Sequence, residues 1–312
     1  MMLIDIALLT WNRIELTRKC IDSILKYTTV PFNLMVADNN STDGTREYLL
    51  DLYRSKKIHR LLLFDRNTGV ACATNSLWEL SQSDYFFKLD NDIEIKRPGW
   101  ASEMSGIIQR NPEVDITAFS FLKQFQNRDF PLITLSGGDT VQDTRFFGGG
   151  CFMIPKKTHR KLGYFCEDYG LYGEEDDDYS HRAQESNLKI CFLRDSDWMV
   201  HNYHKSDSTH NAKIYRLFKN SRRSANKAKE GAFINNLLMY TLKLRPLYMR
   251  RKFRTIIADD GISARIELDR AYLKNEGRKI SRLKRFLKKR PGFFDSQIDG
   301  QKLYFEFNRK AI

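Results

Sequence analysis

A chain of 312 residues with 41% hydrophobic side chains has enough apolar material for a packed core, which excludes a disordered protein and leaves room for one large domain or two modest ones. The net charge of +13 is unevenly spread. Residues 1–212 carry a net −5, whereas Lys213 to Arg290 hold 24 Lys and Arg against 6 Asp and Glu, so two regions with different partners are expected.

The first predicted element is the strand LIDIALLT; no basic segment precedes it and Asp5 interrupts it, so it does not read as a signal peptide. Ile14 to Tyr27 reads as a helix, with Leu16, Cys20, Ile21, Ile24 and Leu25 at helical spacing. The strand FNLMVAD, the helix STDGTREYLLDLYRSK, the strand HRLLLFD, the helix TGVACATNSLWELS and the strand YFFKLD follow. This alternation predicts an α/β protein whose parallel central sheet carries helices on both faces. The five cysteines (Cys20, Cys72, Cys151, Cys166, Cys191) include no C-x-x-C pair and fit reduced, buried thiols of a cytoplasmic protein. No run approaches about 18 uncharged apolar residues, so no transmembrane helix is predicted.

In such sheets the working residues sit at the carboxyl ends of the strands. Those ends are Thr10-Trp11-Asn12-Arg13, Asp38-Asn39-Asn40, Asp65-Arg66-Asn67 and Asp90-Asn91-Asp92, four polar clusters on one edge. The sequence has neither a G-x-G-x-x-G fingerprint after the first strand nor a G-x-x-x-x-G-K-[ST] loop. Asp90 and Asp92, one residue apart at a strand end, suit a hard divalent cation that bridges to phosphates. Capping of the next element is the alternative for an isolated pair.

The stretches LLTWNRIELTRKCIDSIL, VADNNSTDGT, NTGVACATN and KLDND resemble, in order and spacing, the donor-site motifs of family 2 glycosyltransferases with the GT-A fold. FFGGGCFMIPKKTHRKLGYFCEDYGLYGEEDDDYSHR is similar to that family's glycine-containing acceptor loop and E-D-x-D-x-x-x-R motif, so the resemblance spans roughly residues 3 to 205. It implies a Rossmann-like GT-A fold in which Thr10, Asn12, Arg13, Asp38, Asn67, Asn75 and Asp90 bind the donor nucleotide. Asp38 would accept a hydrogen bond from the base, Asn67 and Asn75 would support the ribose and sugar, and Asp90 would hold ribose or metal-bound water. Asp92 would ligate the metal, Mn²⁺ or Mg²⁺, with His201 or His204. Gly149 and Gly150 would lie on the acceptor side. Cys166 stands where the family commonly has aspartate.

The acids Glu174 to Asp178 are the expected seat of the general base, since an acceptor hydroxyl must lose its proton as it attacks. Such a base contributes about 10²–10⁴-fold, and mutual repulsion raises at least one pKa in the cluster. The family motif maps the base to Asp176; Glu175 is the second choice, and a solvated acidic loop is the bland alternative. Arg182 is expected to orient this segment by pairing with an acid.

The boundary between regions is expected near residue 212, with a catalytic domain over 1–212 and a basic, mainly helical region over 213–312. Ile280, Leu283, Phe286 and Leu287 form an apolar stripe among Lys and Arg, as in a helix lying on an anionic membrane surface. A packing or assembly role is the alternative, and no nucleic-acid reader module is present. Together these features predict a metal-dependent, inverting glycosyltransferase of the hexosyltransferase type. It would use a nucleotide-diphosphate sugar, a UDP-sugar, and a glycan or lipid-linked glycan acceptor, in the cytoplasm or at the inner face of the membrane. The rivals are a non-catalytic sugar-nucleotide-binding or glycan-binding protein and a sugar nucleotidyltransferase.

Overall fold

The first strand, β1 (Ile4–Thr10), is buried along all seven residues, as a near-continuous apolar run in a doubly covered sheet should be. The computed structural model describes residues 3–121, 123–124, 129–195, 197–202 and 223–272. After β1 come α1 (Ile14–Tyr27), β2 (Phe32–Asp38), α2 (Thr45–Arg54), β3 (Arg60–Phe64), α3 (Val70–Leu80) and β4 (Tyr85–Asp90), all within a residue or a few of the ranges the periodicity predicts. Then follow β5 (Ile93–Ile95), α4 (Trp100–Arg110), β6 (Val114–Ala118), β7 (Leu132–Thr134), β8 (Thr140–Thr144), β9 (Cys151–Pro155) and α5 (Lys156–Leu162). A 3₁₀ turn (Glu167–Tyr169), α6 (Glu175–Glu185), β10 (Lys189–Leu193), β11 (Met199–His201), α7 (Arg223–Thr241), β12 (Phe253–Ile257) and β13 (Ser263–Leu268) complete the described chain.

Among the described residues, eleven strands form one sheet in the order β12-β13-β3-β2-β1-β4-β9-β6-β10-β8-β7. Its centre is parallel, from β13 through β3, β2 and β1 to β4, and antiparallel pairs lie towards both edges. Two apolar layers cover it. One packs β1, β2 and β4 residues such as Ile6, Val36 and Phe87 against α1 and α4 through Ile21, Trp100 and Met104. The other sets Ala7, Met35 and Phe86 against α3, the segment before the 3₁₀ turn and α6 through Leu77, Trp78, Phe165 and Tyr179. The register aligns Thr10 with Asp38 and Leu9 with Asp90, so the polar strand ends fall on one edge of the sheet.

The described residues after 212 hold a helix, as expected, and also strands that the sequence reading did not place. Helix α7 is present, but residues 253–268 form a β-hairpin, and β13 pairs parallel with β3 as part of the central sheet. Phe233, Leu237, Tyr240 and Met249 bury themselves against Cys166 and Tyr169. Helix α7 and the hairpin therefore share one core with the preceding elements, and the expected boundary at 212 cuts through it. The hairpin had a local signature: RTII and SARIEL, both strand-like, flank Asp259-Asp260-Gly261. No helix among the described residues is long and apolar enough to cross a membrane. His204 and the stripe Ile280, Leu283, Phe286 and Leu287 lie outside the described residues.

Candidate active site

The loop after β1 is tightly wound. Asn12 and Arg13 both take left-handed backbone angles, φ 55° and 65°, at a cost on the order of 1–3 kcal/mol each. Asp43 offsets part of this strain. Its carboxylate accepts the Ile14 N–H at 3.0 Å and the Thr45 N–H and hydroxyl at 3.2 and 2.6 Å, so one acid caps both α1 and α2. Asn12 in turn accepts the Thr42 N–H at 2.8 Å and gives its own N–H to Ser41 Oγ at 2.7 Å, fastening the TWNR loop to DNNSTDGT.

Asp38 is wholly buried and receives the Thr10 hydroxyl at 2.9 Å, the Ser41 hydroxyl at 2.5 Å and the Ser41 N–H at 2.9 Å, with Arg46 at 3.6 Å. Burial raises its pKa, and the Ser41 and Thr10 donors oppose that shift. Asn39 accepts the Thr68 N–H and hydroxyl, and Asn67 accepts the Gly69 N–H at 2.9 Å, which shapes the loop after β3. At Gly69 a Cβ would stand 2.7 Å from the Gly170 carbonyl, so the loop packs directly on the segment leading to α6.

Asn75 does not join this group. It is fully buried, donates to the Phe165 carbonyl at 3.0 Å and to Glu167 at 2.9 Å, and accepts the Phe165 N–H at 3.0 Å. The expected donor contact is corrected to a strut that braces α3 against the 3₁₀ turn.

The two aspartates after β4 have different surroundings. Asp92 is buried; its Oδ2 meets the Arg13 guanidinium at 3.0 Å, while Oδ1 accepts no hydrogen bond among the described residues and faces His201 Nε2 at 3.7 Å. The β5–β11 ladder sets His201 opposite Ile93, the Asn202 N–H donates to the Asp92 carbonyl, Gln124 pairs with the His201 backbone, and the Phe121 ring stands edge-on to the imidazole at 5.4 Å. A buried carboxylate oxygen without a hydrogen-bond donor, facing an imidazole, is a donor set that fits a divalent cation. Among the described residues no group of three or more His, Cys, Asp or Glu side chains gathers at one point, and Asp92 with His201 is the pair they offer there. Asp90 instead receives the Lys88 ammonium at 2.5 Å; burial raises the Asp90 pKa and Lys88 opposes it.

Gly149 and Gly150 act through the backbone. The Gly149 N–H donates to Asp176 Oδ2 at 2.8 Å and its carbonyl accepts from Lys88 Nζ. At Gly150 a Cβ would lie 2.9 Å from the Phe121 ring, the same ring that contacts His201.

The acids open α6. Glu174 takes φ 71° and starts the helix, so Glu175 and Asp176 lie in its first turn, where the macrodipole favours carboxylates. Glu175 is buried and its pKa is pushed up to about 8 by desolvation and by Asp176. Burial likewise raises the Asp176 pKa, opposed by Lys88 and the backbone amides of Asp177 and Gly149. Asp178 is different. It is fully buried and pairs with Arg182 at 2.6 Å, and the hydroxyls of Tyr169 and Tyr240 also donate to it. Arg182 spends its remaining donors on the carbonyls of Leu162, Tyr164 and Leu247. This pair fixes the helix and leaves Glu175 and Asp176 as the acids near Lys88 and Gly149.

A family model described as glycosyl transferase family 2 matches residues 5–172, more than half of the sequence. The chain belongs to glycosyl transferase family 2. A second model, the N-terminal domain of galactosyltransferase, matches residues 140–205. The family 2 chain is 23% identical over 122 residues to TuaG of Bacillus subtilis, a glycosyltransferase assigned to teichuronic acid biosynthesis, covering 39% of this chain and 48% of TuaG. It is 29% identical over 90 residues to the chondroitin synthase of Pasteurella multocida, covering 29% of this chain and 9% of that protein. It thus spans half or less of these curated relatives. Among solved structures, residues 1–349 of S. aureus TarS superpose with a TM-score of 0.51 at 14% identity, covering 86% of this chain and 97% of that one, which bears on the fold alone.

Several residues of this family 2 site escape a reading of motifs. Lys88 is 2% exposed inside an apolar strand, and a buried lysine is a signal in itself because it demands a partner. Arg251 reaches Glu167 at 3.1 Å and Arg245 reaches Asp168 at 3.0 Å from far along the chain. Cys166, where aspartate is common in the family, is buried between Tyr169 and α7, and the Asn236 amide donates to its sulfur at 3.6 Å.

Proposed function

We propose that this protein is a metal-dependent, inverting glycosyltransferase that carries a sugar from a nucleotide-diphosphate sugar, a UDP-sugar, to a hydroxyl of a glycan or lipid-linked glycan. The observation that carries the reading is a buried Asp92 Oδ1, without a hydrogen-bond donor among the described residues beside His201, on the same strand end as Asp90, which Lys88 and Gly149 link to Asp176. Asp38, Thr10 and Asn67 line the nucleotide side, where the Asp38 carboxylate suits a ring N–H. Asp92 and His201 would hold Mn²⁺ or Mg²⁺, which when bound supplies Lewis-acid stabilisation of the departing diphosphate. His204 is a further candidate ligand.

Asp176 is the base. As the acceptor oxygen bonds to the anomeric carbon and the carbon–oxygen bond to the diphosphate breaks, the hydroxyl proton passes to its carboxylate. Its Oδ2 is held by the Gly149 N–H and its Oδ1 by the Asp177 N–H at 3.1 Å, so the carboxylate is oriented before an acceptor arrives. Glu175, with a pKa near 8, is the alternative proton acceptor at the same helix start. A single displacement inverts the anomeric configuration.

The test is a screen of nucleotide-sugars for Mn²⁺-dependent hydrolysis, then of acceptors with the hit, the product anomer being assigned by NMR. Binding of a nucleotide-sugar without turnover under any acceptor favours the non-catalytic alternative, and release of pyrophosphate from a sugar phosphate and a nucleoside triphosphate favours a nucleotidyltransferase. Peripheral attachment to an anionic membrane rests on the net +18 of Lys213 to Arg290; flotation with anionic vesicles that weakens with salt supports it, and absence of binding at low salt refutes it.

A further inference from the structure

Burying an ammonium costs several kcal/mol unless it is well paired, and Lys88 is buried in the middle of β4 between Phe87 and Leu89. Its partners are functional groups. The ammonium donates to Asp90 Oδ1 at 2.5 Å and to the carbonyl of Gly149. The β4–β9 register sets Lys88 opposite Phe152 and Leu89 opposite Cys151, so the glycines entering β9 run directly past the lysine head. A Cβ on Gly149 would lie 3.4 Å from Asp176 Oδ2 and 3.6 Å from Lys88 Nζ, which means the acid and the ammonium converge on a residue with no side chain to separate them.

We propose that Lys88 is a positioning residue that locks the base to the donor side of the site. Its ammonium ties Asp90 to the carbonyl of Gly149, and the N–H of the same glycine holds Asp176. The inference rests on the glycosyltransferase reading above. Lys88 holds the Gly149 carbonyl and Asp176 accepts the Gly149 N–H, two groups in neighbouring peptide planes joined at one Cα, so the direction of the base is set from β4 as well as from α6. Among the described residues the same ammonium stands among acids: Asp90 of β4 and Glu175 and Asp176 of α6, with Glu174 and Asp177 flanking them. It opposes the rise that burial imposes on the Glu175 and Asp176 pKa values.

The experiment compares full-length wild type with Lys88→Met and Lys88→Arg. In hydrogen–deuterium exchange on the free protein, Lys88→Met should exchange faster across Gly148–Cys151 and the first turn of α6, with β1 to β3 unchanged. In donor turnover it should lose about 10–100-fold in kcat with little change in donor KM, and the acid limb of its kcat/KM profile should move to higher pH. Lys88→Arg, which keeps the charge, should return the acid limb towards the wild-type position. Unchanged exchange at Gly148–Cys151 together with an unmoved acid limb overturns the proposal, and so does a uniform loss of protection across the sheet. If wild type turns over no donor, the glycosyltransferase reading fails, whereas the exchange measurement still decides the lock.

Discussion

The Tyr240 hydroxyl, carried by the C-terminal helix α7, donates at 3.0 Å to the same Asp178 oxygen that Tyr169 reaches at 2.6 Å, on the far side of the carboxylate from Arg182. The helix that carries Glu175 and Asp176 is therefore held by a residue beyond position 212. A chain ending at 212 would lose this contact. Arg251 and the amides of Lys252 and Phe253 likewise satisfy Glu167, which would otherwise be a buried, underpaired charge.

Tyr240→Phe should lower stability by about 1.5–3 kcal/mol, the range for a hydrogen bond to a charged group. Arg251→Met should cost about 3–5 kcal/mol because it leaves the buried Glu167 carboxylate with hydrogen-bond donors but without its cation. Urea unfolding measures both. Truncation after Ala212 should yield protein without a cooperative transition; a truncated chain with wild-type Tm would sink the account of α7 as part of the core.

Asp92→Asn should abolish transfer and sharply weaken metal-dependent nucleotide binding, since an amide lacks the charge that holds a cation. Titration calorimetry with Mn²⁺ and UDP reads this separately from turnover. Near-normal turnover in the variant would remove Asp92 from the metal site.

Asp176→Asn should keep donor and metal affinity while kcat falls by about 10²–10⁴-fold, as expected of a lost base. A larger fall in Glu175→Gln would move the base by one residue. Equal loss of donor binding in Asp176→Asn would make the acidic turn structural.

Glu175 also predicts a pH dependence of stability. Its folded-state pKa is raised from 4.5 to about 8, chiefly by burial, so the folded protein binds this proton more tightly than the unfolded chain. The stability this proton contributes is present below the unfolded pKa and is lost as pH rises through the window up to the folded value, by up to about 1.4 kcal/mol per pH unit. Glu175→Gln should therefore gain stability over wild type at about pH 8.5 and gain little at about pH 4. The same difference at both pH values would contradict the burial of an ionisable Glu175.

The first seven elements were legible because their signal is local. Strands such as LIDIALLT and helices such as Ile14–Tyr27 have one period each, and the acids at strand ends announce an edge that binds something polar. Family membership was legible in the order of the motifs, and the Asp178–Arg182 pair was foreshadowed by their spacing of four on a helix. What stayed hidden depends on distant pairing. Asn75 lies inside a donor-site motif, yet its carboxamide is consumed by Phe165 and Glu167, 90 and 92 positions on. Lys88 passes for an interruption of a strand until Gly149 arrives from 61 positions away. The C-terminal hairpin was masked by its basic composition, which drew attention to charge and away from the alternation in RTII and SARIEL.

The pairing of β13 with β3 has a consequence for synthesis. Arg66, just past β3, bonds the Ile266 carbonyl across 200 positions of sequence. At about 5–20 residues per second, the ribosome needs roughly 10–40 s between making one partner and making the other. Through that interval β3 presents an open edge with buried-type residues Leu61, Leu62 and Leu63 on a nascent chain. Closure by such a long loop is also entropically slow. Production of this protein should thus depend on factors that shield nascent chains, and its yield should rise when translation downstream of β3 is fast.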